Sequence, residues 1–464
     1  MESSVSEASS RRAALFIVCM SSFITPLMLS GVNVAIPTIA RDLNADAILM
    51  SWLPTAYLLA SAVFLLPSGK IGDIYGRKKI YLSGMITVTL GSILCATAQS
   101  IQVLIVYRII QGIGAAMLFS NGAAILVSIF PPERRGYVLG FTISAVYFGL
   151  TFGPLVGGWC TQYLSWRSVF IVHIPVVLIM IGLTFAMLKG DWTGDSDQKF
   201  DLAGSVIYAI GIIALIYGLS TLPALQGIWI IGLGLVGLIA FIQFEKRISS
   251  PVFEVTLFFT NRLFLFSCLA ALILYTSSFG LSYLMSLHLQ YIKGLSPQAS
   301  GAVIMSQPVM MALFSPLAGR LSDRHEPRHL ASAGMLIMIT GYLALASITM
   351  QTPLYLIVIF LLLTGTGFAL FSSPNVNAIM SSVDKKHLGI ASGTTSTIRV
   401  IGQMFSMAII TLIFALIMGP VQITPEHFPM LEKSIKSCFL ISAGLCTVGI
   451  YFSLSRGNLR QQKI

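Results

Sequence analysis

The chain has 464 residues, 56% of them hydrophobic and only 10% charged, with a mean hydropathy of +0.86. Soluble domains are about 25% charged, so the two or three soluble domains that length alone would suggest are excluded. The net charge of +11 does not indicate nucleic acid, because the cations gather in alternate loops, as topology demands of a membrane protein.

A spanning helix needs roughly 20 apolar residues. Such runs lie near 13–37, 48–68, 80–99, 102–126, 138–163 and 167–188, then 202–220 and 227–244. Six more lie near 263–290, 299–319, 330–350, 353–373, 389–418 and 437–455, which makes fourteen. The first run is too long for a signal-peptide core and reads as a retained helix. The Ser-rich head before it, Glu2 to Ser10, is expected to be disordered.

Asn33-Val34-Ala35-Ile36-Pro37 ends the first run, and Trp52-Leu53-Pro54-Thr55-Ala56-Tyr57 opens the second. Between the second and third lies Gly69-Lys70-Ile71-Gly72-Asp73-Ile74-Tyr75-Gly76-Arg77-Lys78-Lys79, with three glycines, one carboxylate and four cations. Its glycines let helix ends approach closely, and Asp73 can accept hydrogen bonds from helix N-termini or arginine. In the fourth run Arg108 and Gln111, at i, i+3, share one helix face. A cation there costs roughly 3 kcal/mol unless it faces the bundle interior, pairs or snorkels. In the fifth, Gly149, Gly153 and Gly157 line one face beside Pro154 and Gly158, a surface for close helix packing. The sixth opens with Trp166-Arg167-Ser168-Val169-Phe170 and holds His173; His288 sits near the outer end of the ninth. A shortened echo of the loop, Gly319-Arg320-Leu321-Ser322-Asp323-Arg324, follows the tenth.

These loops resemble the signature of the major facilitator superfamily, which follows the second helix of each half of those transporters. Asn33 to Pro37, the Arg108 segment, the Gly149–Gly158 segment, Gly365 to Asn375, Gly389 to Gly393 and Arg399 to Gln403 together resemble the fourteen-helix drug/proton antiporter family over nearly the whole chain. The resemblance implies an all-α integral membrane fold of two six-helix bundles, 1–190 and 261–464, with a helix pair and its flanking loops inserted at 191–260. Substrate would bind near the midplane between the halves. It further implies a cytoplasmic gate from Gly69, Asp73, Gly76 and Arg77 with Gly319, Asp323 and Arg324, latched when the cavity faces outward. Gly149, Gly153, Pro154, Gly157 and Gly158 would form the antiporter motif that marks exporters. Candidates for the polar cavity wall are Asn33, Tyr57, Arg108, Gln111, Asn375 and Arg399.

With the N-terminus inside, 21 of the 28 Lys and Arg fall in inner loops, which predicts both termini in the cytoplasm of a multi-pass cell-membrane protein. The sequence departs from the antiporter pattern at Met28, where the family usually has an aspartate. All seventeen acidic residues lie in the head, loops or helix ends, so no carboxylate is expected mid-membrane to relay protons. His173 and His288 titrate in the right range and are the candidate proton carriers, with a satisfied core histidine as the plainer reading of each. Arg108 and Arg399, the fixed charges within apolar runs, favour anionic, zwitterionic or neutral amphipathic substrates over cations, although Arg399 also fits a helix-packing role.

No Walker-type loop, HExxH or nucleophile elbow is present, so no enzyme, cofactor or metal is expected. The six cysteines form no CxxC pair and mostly lie in apolar runs, as small buried hydrophobes do. The reading is a monomeric exporter of small amphipathic compounds driven by proton antiport, partnered by substrate, protons and the lipid bilayer. A proton-independent uniporter or exchanger, and a non-transporting sensor, are the alternatives.

Overall fold

The computed structural model describes residues 2–188, 190–193, 200–248, 252–253, 255–384 and 388–458; Asp195 and Asp197 of the acidic stretch lie outside them. Fourteen helices are long and apolar enough to cross a membrane. They are α1 Arg11–Asp42, α2 Ala47–Tyr75, α3 Arg77–Thr97, α4 Ile101–Ile129, α5 Tyr137–Tyr163, α6 Ser168–Met187 and α7 Leu202–Thr221. The rest are α8 Leu225–Glu245, α9 Arg262–Ile292, α10 Pro297–Arg324, α11 Pro327–Ala346, α12 Leu354–Ser381, α13 Gly389–Ile417 and α14 Pro425–Ser455. No strand is present among the described residues. A chain that must satisfy every backbone group inside lipid has only helices or a closed barrel to choose from, and the long Leu-, Ile- and Ala-rich runs select helices.

Short polar caps set several boundaries. Asp46, Ser100, Asn261 and Ser296 each accept a hydrogen bond from the backbone N–H three residues on, at 2.8 to 3.4 Å, satisfying an N–H that the first turn leaves unpaired. Two boundaries differ from the sequence reading. The first helix extends back to Glu2, because the head has no Gly or Pro to stop it and propagation from a formed helix costs little. The last span opens with a 3-10 turn at Pro425–His427 and runs as α-helix from Phe428, not from near 437: Leu431, Ser434 and Ile435 turn inward while Glu432, Lys433 and Lys436 stay on the other side of an amphipathic turn.

Packing repeats between the two six-helix bundles. The pairs α1·α5, α2·α4 and α3·α4 recur as α9·α13, α10·α12 and α11·α12. The bundles meet where α5 packs on α10, α2 on α13 and α1 on α9. The inserted α7 leans on α2 and α13, and α8 packs on α7 alone among the stronger contacts. An even number of spans brings the described ends, Glu2 and Asn458, to one face, the terminal face, and the Gly69–Lys79 loop, two spans from Glu2, to that same face.

Candidate functional site

Between the bundles lies a cavity of about 1250 Å³, open solvent at its mouth included. Its polar wall comes from both halves: Asn33 of α1, Tyr57 of α2, Tyr275 of α9 and Arg399 of α13, with Gln307 and Gln403. Tyr147 of α5 crosses to the other half, its hydroxyl 3.0 Å from Ser372 Oγ. Phe368 meets Tyr147 and Tyr275 edge-on, with ring centroids 6.5 and 6.0 Å apart, so this part of the wall is an aromatic cage. Buried Asn33 Oδ1, Tyr57 OH and Ser282 Oγ have no hydrogen-bond partner in the protein, and buried polar groups in native structures ordinarily do. They face the space a ligand would fill. Among the described residues, Arg399 is the only charged one on this wall. Its guanidinium carbon lies 5.6 Å from the Tyr275 ring centroid, and no carboxylate of the described residues pairs with it.

Arg108 and Gln111 do not line this cavity. Both are fully buried behind Tyr57, whose ring lies 4.3 Å under the Arg108 guanidinium. Arg108 donates from Nη1 to Gln111 Oε1 and from Nε to Leu53 O at 3.3 Å. Gln111 Nε2 donates to Ser92 Oγ (2.7 Å) and lies 2.8 Å from Met28 Sδ. Ser92 Oγ is 3.0 Å from His173 Nε2. The structure thus gathers Met28, Arg108, Gln111 and His173 into one buried network within the first bundle, with Tyr57 as its face toward the cavity. Ser92 was missed in the sequence, since one serine in an apolar run gives no signal until its neighbours are known.

Asn375 is elsewhere. It is 1% exposed, donates from Nδ2 to Ser267 O at 3.0 Å and accepts from Arg456 Nη1 at 2.7 Å. Arg456 follows the last span, and burial pushes its guanidinium down to about 10, with nearby Glu326 opposing the shift and Arg328 adding to it. His288 is buried near the opposite face, on a π-helical turn at His288–Ile292, far in sequence from the His173 network.

The cavity leads toward the terminal face. There Gly69, Lys70, Asp73 and Arg77 stand across an open mouth from Gly389, Ser392, Gly393 and Thr397. Arg77 binds Asp73 (2.7 Å), Ala124 O and Ser128, all in its own bundle. Gly76 turns the chain between α2 and α3 at φ 113°, and a Cβ there would run into the Asp191 carboxylate. The echo is placed differently. Gly319, Asp323 and Arg324 end α10 outside this mouth, with both charged residues exposed, while Ser322 accepts from Asn377 Nδ2 at 2.9 Å.

The opposite face is closed. Gln290 Nε2 donates to Val34 O (2.8 Å), Tyr291 OH to Pro37 O (3.3 Å), Thr411 Oγ1 to Ser51 Oγ (2.9 Å) and Ala47 N to Val421 O (3.0 Å). The glycine segment of α5 serves two neighbours. Gly149, Gly153 and Gly157 press on Phe23, Leu27 and Gly31 of α1, whereas Gly158 presses on α10, where an added Cβ would lie 2.5 Å from Pro297 O. Gly301 of α10 likewise abuts Pro154. The geometry is that of a two-bundle molecule open to one side and shut on the other.

Residues 18–260 and 267–463 match a family model described as Major Facilitator Superfamily. The chain is 29% identical over 448 residues to the riboflavin transporter RibZ of Clostridioides difficile (strain 630), covering 95% of this chain and 96% of that one. It is 30% identical over 390 residues to the multidrug resistance protein Stp of Mycobacterium tuberculosis (strain CDC 1551 / Oshkosh), covering 83% of this chain and 72% of Stp. Among solved structures, a bacterial homolog of the human lysosomal transporter Spinster, in an inward-facing and unoccupied conformation, superposes with a TM-score of 0.68. That likeness spans 96% of this chain and 97% of the other at 15% identity, and it speaks to fold alone.

Proposed function

The chain belongs to the major facilitator superfamily, and on that premise we propose that it exports small amphipathic compounds by proton antiport, with halves 1–190 and 261–464 rocking about the central cavity. The observation that carries this is the cavity itself, a mostly apolar and aromatic chamber between the bundles with unpartnered polar atoms and one arginine. The positive loops favour a cytoplasmic terminal face, and on that reading the state described is inward-open. Closing the mouth would bring Asp73 against the N-terminal end of α13, where a carboxylate is favoured by the exposed N–H groups. The resemblance of the α5 glycine segment, Gly149 to Gly158, to the antiporter motif of exporters favours export over import.

Arg399, with no carboxylate beside it, favours anionic or neutral substrates, and the Tyr147–Phe368–Tyr275 cage favours flat rings. Similarity to proteins named for riboflavin and for multiple drugs is in keeping with such cargo. Growth of an overexpressing strain across a panel of toxic compounds tests the reading: resistance confined to amphipathic anions and neutrals is expected, and resistance to permanent cations alone would refute it. One observation favours a second reading. Among the described residues no carboxylate lines the central cavity, as expected of a uniporter or exchanger of an anionic or neutral solute without proton coupling.

A further inference from the structure

Glu245, at the end of α8, is the one buried acidic residue among those described, 3% exposed. Its neighbour is Asp201, which caps α7 by accepting from Gly204 N at 2.9 Å through Oδ1. The other Asp201 oxygen, Oδ2, and Glu245 Oε1 both flank Gly204, and neither accepts a hydrogen bond from any donor of the protein. Glu245 Oε2 accepts from Phe253 N at 2.9 Å.

No cation of the described residues offsets these carboxyl groups. Lys246 lies over the Phe259 ring, Nζ 3.6 Å from its centroid, and Arg247 is exposed. Helix α7, the element packed on α8, offers only Asp201, Tyr208 and Tyr217 as titratable groups, and Tyr208 OH donates to Ala62 O. Two adjacent carboxyl groups whose facing oxygens, Asp201 Oδ2 and Glu245 Oε1, are shielded from water and meet no cation of the described residues do not both ionise.

We propose that Asp201 and Glu245 share one proton and form a proton-binding site on the inserted helix pair. A proton lies between Oδ2 and Oε1, leaving one negative charge on the pair. Its reach is mechanical as well as electrostatic. Phe253, held by Glu245, lines the inward mouth together with Val252, opposite Gly389–Thr397. While the proton is bound, the inserted pair and this linker stay joined. When it leaves, two like charges push the carboxyl groups apart and loosen the wall of the mouth. Proton occupancy and the inward-open form therefore stabilise one another, reciprocally. As the coupling site of transport the pair rests on the antiport reading above; as a shared proton it does not.

The test is the infrared spectrum of the full-length protein in proteoliposomes. At neutral pH the wild type should show a carboxylic-acid carbonyl band that disappears in alkali and is missing from Glu245→Gln. A wild type without the band, or a Glu245→Gln protein that keeps it, overturns the proposal, and the wild-type arm stands even where the variant does not fold. Efflux measured beside it separates the two claims. Glu245→Gln, fixed in the protonated form, should lose most of the wild type's response to an imposed pH gradient. A wild type that shows the band but no gradient response would refute antiport and leave the proton site intact.

Discussion

Met28 Sδ sits 2.8 Å from Gln111 Nε2, in the core of the first bundle. Through Gln111 it joins Arg108, so the residue standing where an aspartate was expected is a direct neighbour of the buried arginine network. Replacing Met28 with Asp should give Gln111 an ionic acceptor and supply Arg108 with a counter-charge in a water-poor site. Transport by Met28→Asp should therefore depend more steeply on pH than the wild type does; a pH–rate profile that overlays the wild type's would refute this placement.

Arg108 and Arg399 should fail in different ways. Arg399 faces the cavity, and loss of a charge-assisted hydrogen bond of about 1.5–3 kcal/mol predicts that Arg399→Ala raises KM for an anionic substrate by roughly tenfold or more. Arg108→Met keeps the stack on Tyr57 and removes a buried charge without a counter-ion, so melting temperature should hold or rise while turnover falls at nearly constant KM. Saturation kinetics in proteoliposomes decide both.

How far this was legible beforehand follows from what each feature depends on. Fourteen spans could be read because hydropathy is a local property of some twenty neighbouring residues. The Gly69–Lys79 loop could be read because its glycines and charges are contiguous; the structure places Gly69, Lys70, Asp73 and Arg77 at the mouth. The arginines could be named but not sorted, since whether Arg108 or Arg399 meets the cavity depends on helix rotation against partners far along the chain. Asn375 pairs with Arg456, 81 residues away, and nothing local announces that. The echo shows the same limit. Asn121 Oδ1 fills the space beside Gly72, whereas its counterpart Asn377 bonds the hydroxyl of Ser322, so one seam has two chemistries that the aligned loops do not reveal.

Gly158 separates the two roles of the α5 glycines. An added side chain collides with Pro297 and Gln298 of α10, not with α1, so Gly158→Val should leave the first bundle folded and open the seam seen shut here. Spin labels across the α5–α10 seam should report a longer distance than in wild type. An unchanged distance would show that α10 gives way instead.

The Asp73–Arg77 bridge is half exposed, with side chains 41% and 18% accessible. Such pairs contribute about 1 kcal/mol or less, and here both partners belong to one bundle. Asp73→Asn should thus change thermal stability little while slowing turnover severalfold, because the proposed closure of the mouth on α13 uses this carboxylate. Equal losses of stability and rate would assign it a purely structural role.

Gln290 and Tyr291 close the opposite face by holding carbonyls of α1 at Val34 and Pro37. Gln290→Ala removes a hydrogen bond between halves, worth about 1 kcal/mol, and should shift the population toward the outward-open form about fivefold. Accessibility of a cysteine placed at Ser286, reactive from that face only when it opens, measures the shift.

The most direct measurement is substrate transport in proteoliposomes of the purified protein, with and without an imposed pH gradient. Proton antiport through an arginine-lined cavity predicts uphill accumulation that requires the gradient and is lost in Arg399→Ala. Accumulation that is the same without a gradient, or unaffected by Arg399→Ala, would contradict the account.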